Sequence, residues 1–239
     1  MLTVDIEKRL DRFTLKAKFS CSGEPLALFG ASGAGKSMTL KCIAGIEKPD
    51  KGYIKLNDRV LYDSEHHINL PPQKRHVGYL FQDYALFPDM TVSQNIETGL
   101  TRYPRKDRAQ QVREITQRFH LTGLESKRPA TLSGGEKQRV ALARIFASAP
   151  DVLLLDEPFS SLDTYLKLEL LPYVKKLITA FNGECILVTH NIDEVLYLCD
   201  KAAPIENGIT KQPLKADVFY TEIKQHYQEA GIILPEIHV

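Results

Sequence analysis

A glycine-rich segment, Gly30-Ala-Ser-Gly-Ala-Gly35-Lys36-Ser37, determines the architecture of this 239-residue chain. It follows a short apolar run at residues 25–29, which has the pattern of a buried strand, and a helix is predicted from Lys36 to about Ile43. Glycines let successive backbone N–H groups turn toward one anion, and the N-terminus of the helix adds its partial positive charge. A strand, a glycine-rich loop and a helix in this order predict a phosphate-binding loop.

The side chains that close this loop suit nucleotide chemistry. Lys36 is placed to reach the β- and γ-phosphates, and the Ser37 hydroxyl is placed to ligate Mg²⁺. A chance glycine-rich turn is the alternative, but the flanking strand and helix argue against it. The residues predicted to hold the nucleotide are Gly30, Ala31, Ser32, Gly33, Ala34, Gly35, Lys36 and Ser37.

Two adjacent acids, Asp156 and Glu157, follow the apolar run at residues 152–155. Ligands bind at the carboxyl edge of an open parallel sheet, where such residues gather. Asp156 suits a role in holding Mg²⁺ and its waters, and Glu157 would then polarise the attacking water as general base. A strand that ends in a solvated acidic turn is the ordinary alternative, and the phosphate loop upstream favours the catalytic interpretation.

The order of the other elements predicts an α/β fold. Residues 52–63 have the pattern of a hairpin around Asn57 and Asp58, and residues 91–149 have helical periodicity with no convincing strand. A further helix, with Pro172 as a kink, is predicted at residues 164–181. Further strand patterns lie at residues 1–9, 76–81, 152–155 and 185–188.

We therefore predict a P-loop NTPase core of RecA-like type, with a mainly parallel sheet and an N-terminal antiparallel β subdomain. A helical subdomain is expected as an insertion at residues 88–149, because Pro88 and Pro150 bracket the helical stretch. Residues 1–87 and 150–239 are then expected to form the nucleotide-binding core together with the β subdomain.

Composition excludes several classes of protein. The net charge is +1, so no basic field points to nucleic acid as a partner. The four cysteines have no CxxC spacing, so neither a zinc site nor a disulfide framework is predicted. No apolar run approaches the about 18–20 residues that span a bilayer, and the first residues lack the apolar core of a signal peptide. We expect a cytoplasmic protein, in which another chain supplies any membrane part.

The string Leu132-Ser-Gly-Gly-Glu-Lys-Gln-Arg139 resembles the LSGGQ signature of the ATP-binding cassette (ABC) family, with Glu136 where glutamine is commoner. Ser133 and Glu136 also have the spacing of a capping box that opens an amphipathic helix. Both interpretations can hold, because the N-terminus of a helix is what would face a γ-phosphate. The resemblance covers about residues 15–207 and implies ATP as the nucleotide.

In that family two cassettes dock head to tail, and each ATP lies between the phosphate loop of one copy and the signature of the other. Ser133, Gly134 and Gly135 would therefore act on the partner's nucleotide. The chain contains one phosphate loop and one signature, so the resemblance implies a homodimer.

Other family positions can be carried over residue by residue. Gln82 resembles the Q-loop glutamine that contacts Mg²⁺, Asp163 resembles the D-loop aspartate, and His190 resembles the switch histidine at the γ-phosphate. The implied catalytic residues are Glu157, His190 and Gln82, and the implied metal ligands are Ser37, Gln82 and Asp156. Phe13 is a candidate for stacking on adenine, although its spacing to the loop is short, and a core phenylalanine is the equal alternative.

Residues 71–96 resemble the cassettes of bacterial solute importers, and residues 57–88 are most similar to molybdate/tungstate and sulfate importers. The resemblance implies an ATPase subunit that drives transport by ATP-dependent dimer closure at the cytoplasmic face of the membrane. Its partners would be permease subunits and, indirectly, a solute-binding protein. Exposed apolar residues in the segment 84–92, namely Leu86, Phe87 and Met90, are expected to receive a permease helix.

Two expectations concern alternatives and the end of the chain. A soluble single-cassette ATPase, such as that of iron–sulfur cluster assembly, is the alternative function, and it would not need a membrane coupling surface around residues 82–92. The residues after Asp200 are too few for a β-barrel regulatory domain, so inhibition through such a domain is not expected. They are predicted to form a strand and turn at residues 203–209 and a helix near 214–230.

Overall fold

The computed structural model describes residues 1–229, and the last residue of the predicted C-terminal helix, Ala230, lies outside this range. The strands in this range are β1 (Leu2–Arg9), β2 (Thr14–Cys21), β3 (Leu26–Phe29), β4 (Lys51–Leu56), β5 (Arg59–Asp63), β6 (Ile68–Asn69), β7 (Val77–Leu80), β8 (Val152–Asp156), β9 (Glu184–Thr189), β10 (Lys201–Glu206), β11 (Ile209–Thr210) and β12 (Leu214–Lys215). The α-helices are α1 (Lys36–Ala44), α2 (Pro72–Arg75), α3 (Val92–Glu97), α4 (Arg105–Arg118), α5 (Gly134–Ala147), α6 (Thr164–Thr179), α7 (Ile192–Leu198) and α8 (Ala216–Glu229).

These strands form one continuous sheet with two different halves. Its order is β6-β5-β4-β1-β2-β11-β10-β3-β9-β8-β7, and β12 pairs with β10. The half from β6 to β2 is antiparallel, whereas β10, β3, β9, β8 and β7 are parallel neighbours. The predicted parallel core and antiparallel β subdomain are both present, and they share this sheet.

Burial along the strands follows their place in the sheet. Every residue of β8 and β9 is buried, as expected for a parallel strand covered on both faces. By contrast, β2 alternates strictly between exposed and buried residues, which is the pattern of a strand with one solvated face.

Two hydrophobic clusters cover opposite sides of the parallel strands. One contains Leu153, Leu155 and Leu187 and continues into the helices α3, α4, α5, α6 and α7. The other contains Leu154, Ile186 and Val188 and continues into α1 and the antiparallel half. Because neighbouring residues of one strand belong to different clusters, each strand joins the two layers. The buried residues of the predicted helical subdomain therefore share a core with the parallel sheet.

Most local predictions from the sequence are confirmed. The helix α1 ends at Ala44 and is capped by Gly45, which has a left-handed conformation, and Asn57 has a φ of 51° in the turn between β4 and β5. Pro172 lies inside α6, which stays one helix around it. Leu214 belongs to β12, so α8 begins two residues later than expected, at Ala216.

Two further features of the fold concern the cysteines and the helix lengths. All four cysteines, Cys21, Cys42, Cys185 and Cys199, are buried free thiols. Across the described range, no helix combines the length and apolar character that crossing a bilayer requires.

Candidate active site

The topology brings the predicted site residues to one edge of the parallel sheet. The phosphate loop follows β3, Gln82 follows β7, Glu157 follows β8 and His190 follows β9, while Asp156 is the last residue of β8. Since β3, β9, β8 and β7 are parallel neighbours, these residues all lie at the carboxyl ends of adjacent strands.

The backbone of the phosphate loop favours glycine at three of its positions, since Gly33 and Gly35 have positive φ angles and Gly30 lies against a neighbouring strand. Gly35, the N-cap of α1, has a φ of 104°, which L side chains rarely adopt. A Cβ atom at Gly30 would lie 2.3 Å from the carbonyl oxygen of Ile205 on β10. The loop is therefore shaped by its own φ angles and by close packing on the neighbouring strand.

Lys36 lies within this loop and is only 4% exposed. Its Nζ donates to the carbonyl oxygens of Gly30 at 2.8 Å and Ala31 at 2.9 Å, and Glu157 Oε1 lies 3.8 Å away. Burial lowers the pKa of Lys36 below its usual value, while the negative charges of Glu157 and Asp156 act in the opposite direction. The ammonium thus joins the phosphate loop to the carboxylate pair.

Asp156 is held by two hydroxyl groups. The Ser37 hydroxyl donates to Asp156 Oδ1 at 2.8 Å, and the Tyr79 hydroxyl donates to Oδ2 at 2.7 Å. Burial raises the pKa of Tyr79 well above its usual value, and the charge of Asp156 adds to this, so the phenol keeps the proton that it donates. Sequence reasoning did not identify Tyr79. The signal available was its place on the strand beside β8, three residues before Gln82.

The donors around Asp156 fit a magnesium ion. Ser37 and Asp156 offer a hydroxyl and a carboxylate, which are hard oxygen ligands, and Mg²⁺ in nucleotide sites takes few protein ligands beside phosphates and waters. Residues 1–229 contain no group of three His, Cys, Asp or Glu side chains that could hold a metal ion alone. The phosphates of a bound nucleotide and water would supply the other ligands of a metal ion here.

Glu157 lies between Lys36 and His190. Its backbone has a φ of 45°, and its N–H donates to the carbonyl of Val188 on β9 at 2.9 Å. This turn directs the carboxylate so that Oε1 is 3.8 Å from Lys36 Nζ and 3.5 Å from His190 Nδ1. The side chain of His190 is 58% exposed, so the arrangement presents a carboxylate and an accessible imidazole side by side.

Gln82 lies near this cluster but is not bonded to the metal-site pair. It is exposed, and its Nε2 donates to Ser160 Oγ at 3.3 Å, whose hydroxyl donates to the carbonyl of Glu157 at 3.0 Å. Gln82 thus contacts the segment after Glu157, and its contact with Mg²⁺ stays a prediction.

A partly buried ion pair links α6 to the segment that carries His190, and sequence reasoning did not find it. Lys167 Nζ lies 2.6 Å from Glu194 Oε1, and the Thr189 hydroxyl donates to Glu194 Oε2 at 2.5 Å. The N–H of Asn191 donates to the same Thr189 hydroxyl. His190 is therefore flanked on both sides by residues of one network.

The signature residues form the N-terminus of α5. Ser133 and Glu136 make both bonds of the predicted capping box, at 3.2 Å and 2.7 Å, and the N–H of Ser133 lowers the pKa of Glu136. A Cβ atom at Gly135 would lie 2.8 Å from Leu166 of α6, so close packing is one reason for this glycine. Asp163 accepts the N–H of Leu166 and caps α6. Among the described hydrogen bonds, none joins the signature residues to the phosphate loop.

Phe13 lies beside the phosphate loop. It lines a cleft of about 800 Å³ together with Phe29, Gly33, Ile205, Phe219 and Ile223, and its ring packs against Gly208. The side chain is half-buried, so this position is compatible with both the stacking and the core interpretation.

The segment 84–92 is more buried than expected. Tyr84 is buried, Leu86 and Met90 are half-buried, and Leu86 packs against the helical core. Phe87 is 45% exposed, with the guanidinium of Arg144 over its ring. Arg144 also donates to the carbonyls of Tyr84 and Ala85, and this anchoring turns Leu86 inward. The prediction of exposed apolar side chains is therefore correct for Phe87, whereas Leu86 and Met90 are only partly exposed.

Comparison with known proteins identifies the family. The family model described as ABC transporter matches residues 15–160. The chain belongs to the ABC transporter family. Among its relatives, the molybdenum import ATP-binding protein ModC of Paramagnetospirillum magneticum is 40% identical over 87% of this chain and 57% of its own length. ModC of Brucella melitensis is 42% identical over 99% of this chain and 66% of its own length.

Solved structures of ABC cassettes share the fold. The cbiO1 protein from Clostridium perfringens, part of the ABC transporter complex cbiONQ, has a TM-score of 0.77 at 26% identity, covering 95% of this chain and 94% of that one. The ATP-binding cassette MJ0796, solved as a dimer with ADP and Pi, has a TM-score of 0.75 at 24% identity, covering 90% and 99%. The predicted P-loop α/β fold is therefore confirmed. The chain spans between about half and two thirds of the length of the ModC relatives it matches.

Proposed function

We propose that this chain binds and hydrolyses ATP as the nucleotide-binding subunit of a membrane importer for molybdate-type oxyanions. The observation that carries the ATPase proposal is the arrangement of Lys36, Asp156 and Glu157 beyond the carboxyl ends of β3 and β8, which both pair with β9, with Glu157 3.8 Å from Lys36. One buried cation and two carboxylates beside a phosphate loop are what phosphoryl transfer to water requires.

Each residue has a role that follows from its contacts. The carbonyls of Gly30 and Ala31 hold Lys36 inside the loop, where it would face the β- and γ-phosphates. Mg²⁺, when bound, would offset the charge of the phosphates, and Ser37 with Asp156 would hold it. Glu157 would accept a proton from the attacking water, and His190, 3.5 Å from that carboxylate, would contact the γ-phosphate.

A test of nucleotide binding is Lys36→Ala. The variant loses the charged contact to the phosphates, and a hydrogen bond to a charged group contributes about 1.5–3 kcal/mol, so ATP affinity should fall roughly tenfold to hundredfold. Titration of a labelled ATP analogue measures it. Lys41→Ala, five residues along the same helix, is the matched control. Equal affinity in Lys36→Ala and the control would refute the assignment.

Transport of molybdate is supported by the relatives, whose names state molybdenum import. They do not favour the soluble cassette of iron–sulfur cluster assembly. Deletion of the gene should lower cellular molybdenum or tungsten uptake, measured by elemental analysis beside sulfur as a reference. If uptake of all three elements is unchanged and the deletion strain instead fails to take up another solute, the oxyanion proposal is rejected and the importer proposal stands.

The proposed partners are a second copy of this chain, permease subunits and, through them, a solute-binding protein. The relative cbiO1 is part of a transporter complex. We assign the permease contact to Phe87, on the segment that Arg144 anchors, and thereby the chain to the cytoplasmic face of the membrane. Phe87→Glu should reduce co-purification with the permease, because a charge in an apolar interface is costly. Ile209→Glu, at another exposed apolar residue, is the control.

A further inference from the structure

We propose that Tyr79 is a positioning residue for the metal site, and that its hydroxyl sets the orientation in which Asp156 receives the magnesium ion. This inference rests on the proposed binding of ATP with Mg²⁺. Tyr79 lies outside the phosphate loop, the carboxylate pair, the signature and the other motif positions, so neither the motifs nor the family resemblance assigned it a role.

The geometry at Tyr79 is that of a fixed support. Tyr79 pairs with Leu154 in the register of β7 and β8, two residues before Asp156, and its side chain reaches forward along β8 to the carboxylate. Its ring packs against Phe81 with centroids 4.3 Å apart. Tyr79 is 8% exposed and Asp156 is 6% exposed, so water competes little for this 2.7 Å hydrogen bond.

The two oxygens of Asp156 have different partners. Oδ1 accepts the Ser37 hydroxyl, whose oxygen keeps lone pairs that can face a metal, and Oδ2 accepts the Tyr79 hydroxyl. With a single hydrogen bond the carboxylate could still rotate about its Cβ–Cγ bond. The second bond fixes that rotation, and thereby fixes the direction in which Asp156 presents its remaining lone pairs. Such outer partners of metal ligands typically change metal affinity 10–100-fold when they are removed.

If Tyr79 had a purely structural role, its hydroxyl would affect stability and not metal affinity. A buried phenol needs a hydrogen-bond partner, and a bond of this kind contributes about 0.5–1.5 kcal/mol to folding wherever it lies. If that were all, the loss of the hydroxyl would lower stability without a specific effect on the metal. The two roles therefore differ in one measurable quantity, which is metal affinity relative to metal-free nucleotide affinity.

The test uses the full chain with Tyr79→Phe, which keeps the ring and its packing on Phe81. Two quantities are measured: ADP affinity in excess EDTA by titration calorimetry, and Mn²⁺ affinity of the ADP complex by electron paramagnetic resonance. We expect the metal-free ADP affinity to stay within about twofold, while the Mn²⁺ dissociation constant rises about tenfold or more.

A matched control is Tyr62→Phe. Tyr62 is also a buried tyrosine on a strand, and it donates to the carbonyl of Pro49 at 2.7 Å in the antiparallel half of the sheet. It should lose similar stability in thermal melts and keep the Mn²⁺ affinity of the wild type.

Three results would overturn the inference. Equal Mn²⁺ affinity in Tyr79→Phe and the wild type would show that the hydroxyl does not position Asp156. A fall in metal-free and metal-dependent affinity by the same factor would assign Tyr79 a structural role. If the wild type shows no metal-dependent nucleotide binding while Lys36→Ala binds as well as it does, the proposed function itself fails and takes this inference with it.

Discussion

The phosphate-loop region and the signature region of this chain differ in the range of their polar contacts along the sequence. Around the phosphate loop, the charged and hydroxyl groups of Lys36, Ser37, Asp156 and Glu157 contact one another across elements that are distant in sequence. At the signature, the described hydrogen bonds of Ser133 stay within its own helix terminus, where Glu136 completes the capping box. The first region is assembled from distant parts of the chain, whereas the second is a helix terminus whose capping hydrogen bonds are local.

This difference suggests a division of roles between the two regions, in which one serves the chain's own nucleotide and the other serves a second copy. A single chain contains the groups that would hold a nucleotide and activate water. The N-terminus of α5 presents partial positive charge suited to an anion, and no described hydrogen bond brings it to the chain's own phosphate loop. A second copy, turned head to tail, would supply an anion at that terminus. The comparison therefore predicts that mutations in the two regions affect different steps.

The largest effect should follow from Glu157→Gln. Removal of the general base should lower ATP hydrolysis by about 10²–10⁴-fold. Binding of ATP should persist, because the Ser37–Asp156 hydrogen bond and the bonds of Lys36 to the loop carbonyls do not involve the Glu157 carboxylate. Phosphate release and nucleotide titration measure the two quantities separately. Glu169→Gln, at an exposed acid of α6, is the control, and hydrolysis at the wild-type rate in Glu157→Gln would refute the base assignment.

The next effect separates the regions directly. In the Glu157→Gln background, two chains should remain together around two ATP molecules, which size-exclusion chromatography can detect with and without Mg²⁺. Adding Ser133→Arg should weaken this dimer about tenfold or more, because a bulky side chain in a packed contact costs about 1–3 kcal/mol. Binding of ATP by the single chain should be unchanged. Loss of ATP binding together with the dimer would contradict a division between the two regions.

The sequence predicted the first region well because each of its parts is encoded locally. The glycine pattern, the apolar run before Asp156 and the spacing of α1 specify a loop between strand and helix, and the parallel arrangement then brings strand ends together. The contacts that sequence reasoning missed are all between elements. Tyr79 meets Asp156 from a neighbouring strand, and Lys167 meets Glu194 across two helices. Neither pair is marked by spacing along the chain.

In the segment near Phe87, sequence reasoning instead predicted more exposure than the structure has. Its apolar residues were expected to be exposed because they resemble a coupling surface. The fold instead fixes the segment from two sides: Arg144 binds its carbonyls, and the Asn95 amide donates to Phe87, Met90 and Thr91. Leu86 is then directed into the helical core. Which of several apolar neighbours is buried depends on these tertiary contacts, so the sequence pattern could not specify it.

A smaller effect is expected on stability when a glycine in each region is replaced by alanine. Gly30→Ala would bring its Cβ atom to 2.3 Å from the backbone oxygen of Ile205, which no side-chain rotation relieves, whereas Gly134→Ala would meet only the end of Leu162 at 3.1 Å. Gly30→Ala should therefore lower the free energy of unfolding by about 1–3 kcal/mol, and Gly134→Ala by distinctly less. Urea unfolding measures both. Equal losses would indicate that packing within one chain constrains the signature as tightly as the phosphate loop.

The smallest expected loss of stability comes from removing a capping side chain, and it gives the most direct test of whether the signature region serves a second copy. Within residues 1–229 there are two capping boxes, Ser133 with Glu136 on α5 and Thr91 with Gln94 on α3, and both make the two reciprocal bonds. Loss of a capping side chain costs about 0.5–2 kcal/mol, so Ser133→Ala and Thr91→Ala should lower the free energy of unfolding by similar amounts.

Their effects on assembly should differ. If the terminus of α5 serves a partner's nucleotide, Ser133→Ala removes a hydroxyl that faces it, and the ATP-dependent dimer of the Glu157→Gln protein should weaken. Thr91→Ala loses an equivalent cap on α3 and should dimerise as before. Urea unfolding and size-exclusion chromatography on both double variants give the two quantities. Equal dimerisation after equal loss of stability would mean that Ser133 is a helix cap alone, and that the partner's phosphate is met by the backbone N–H groups of α5 without this hydroxyl.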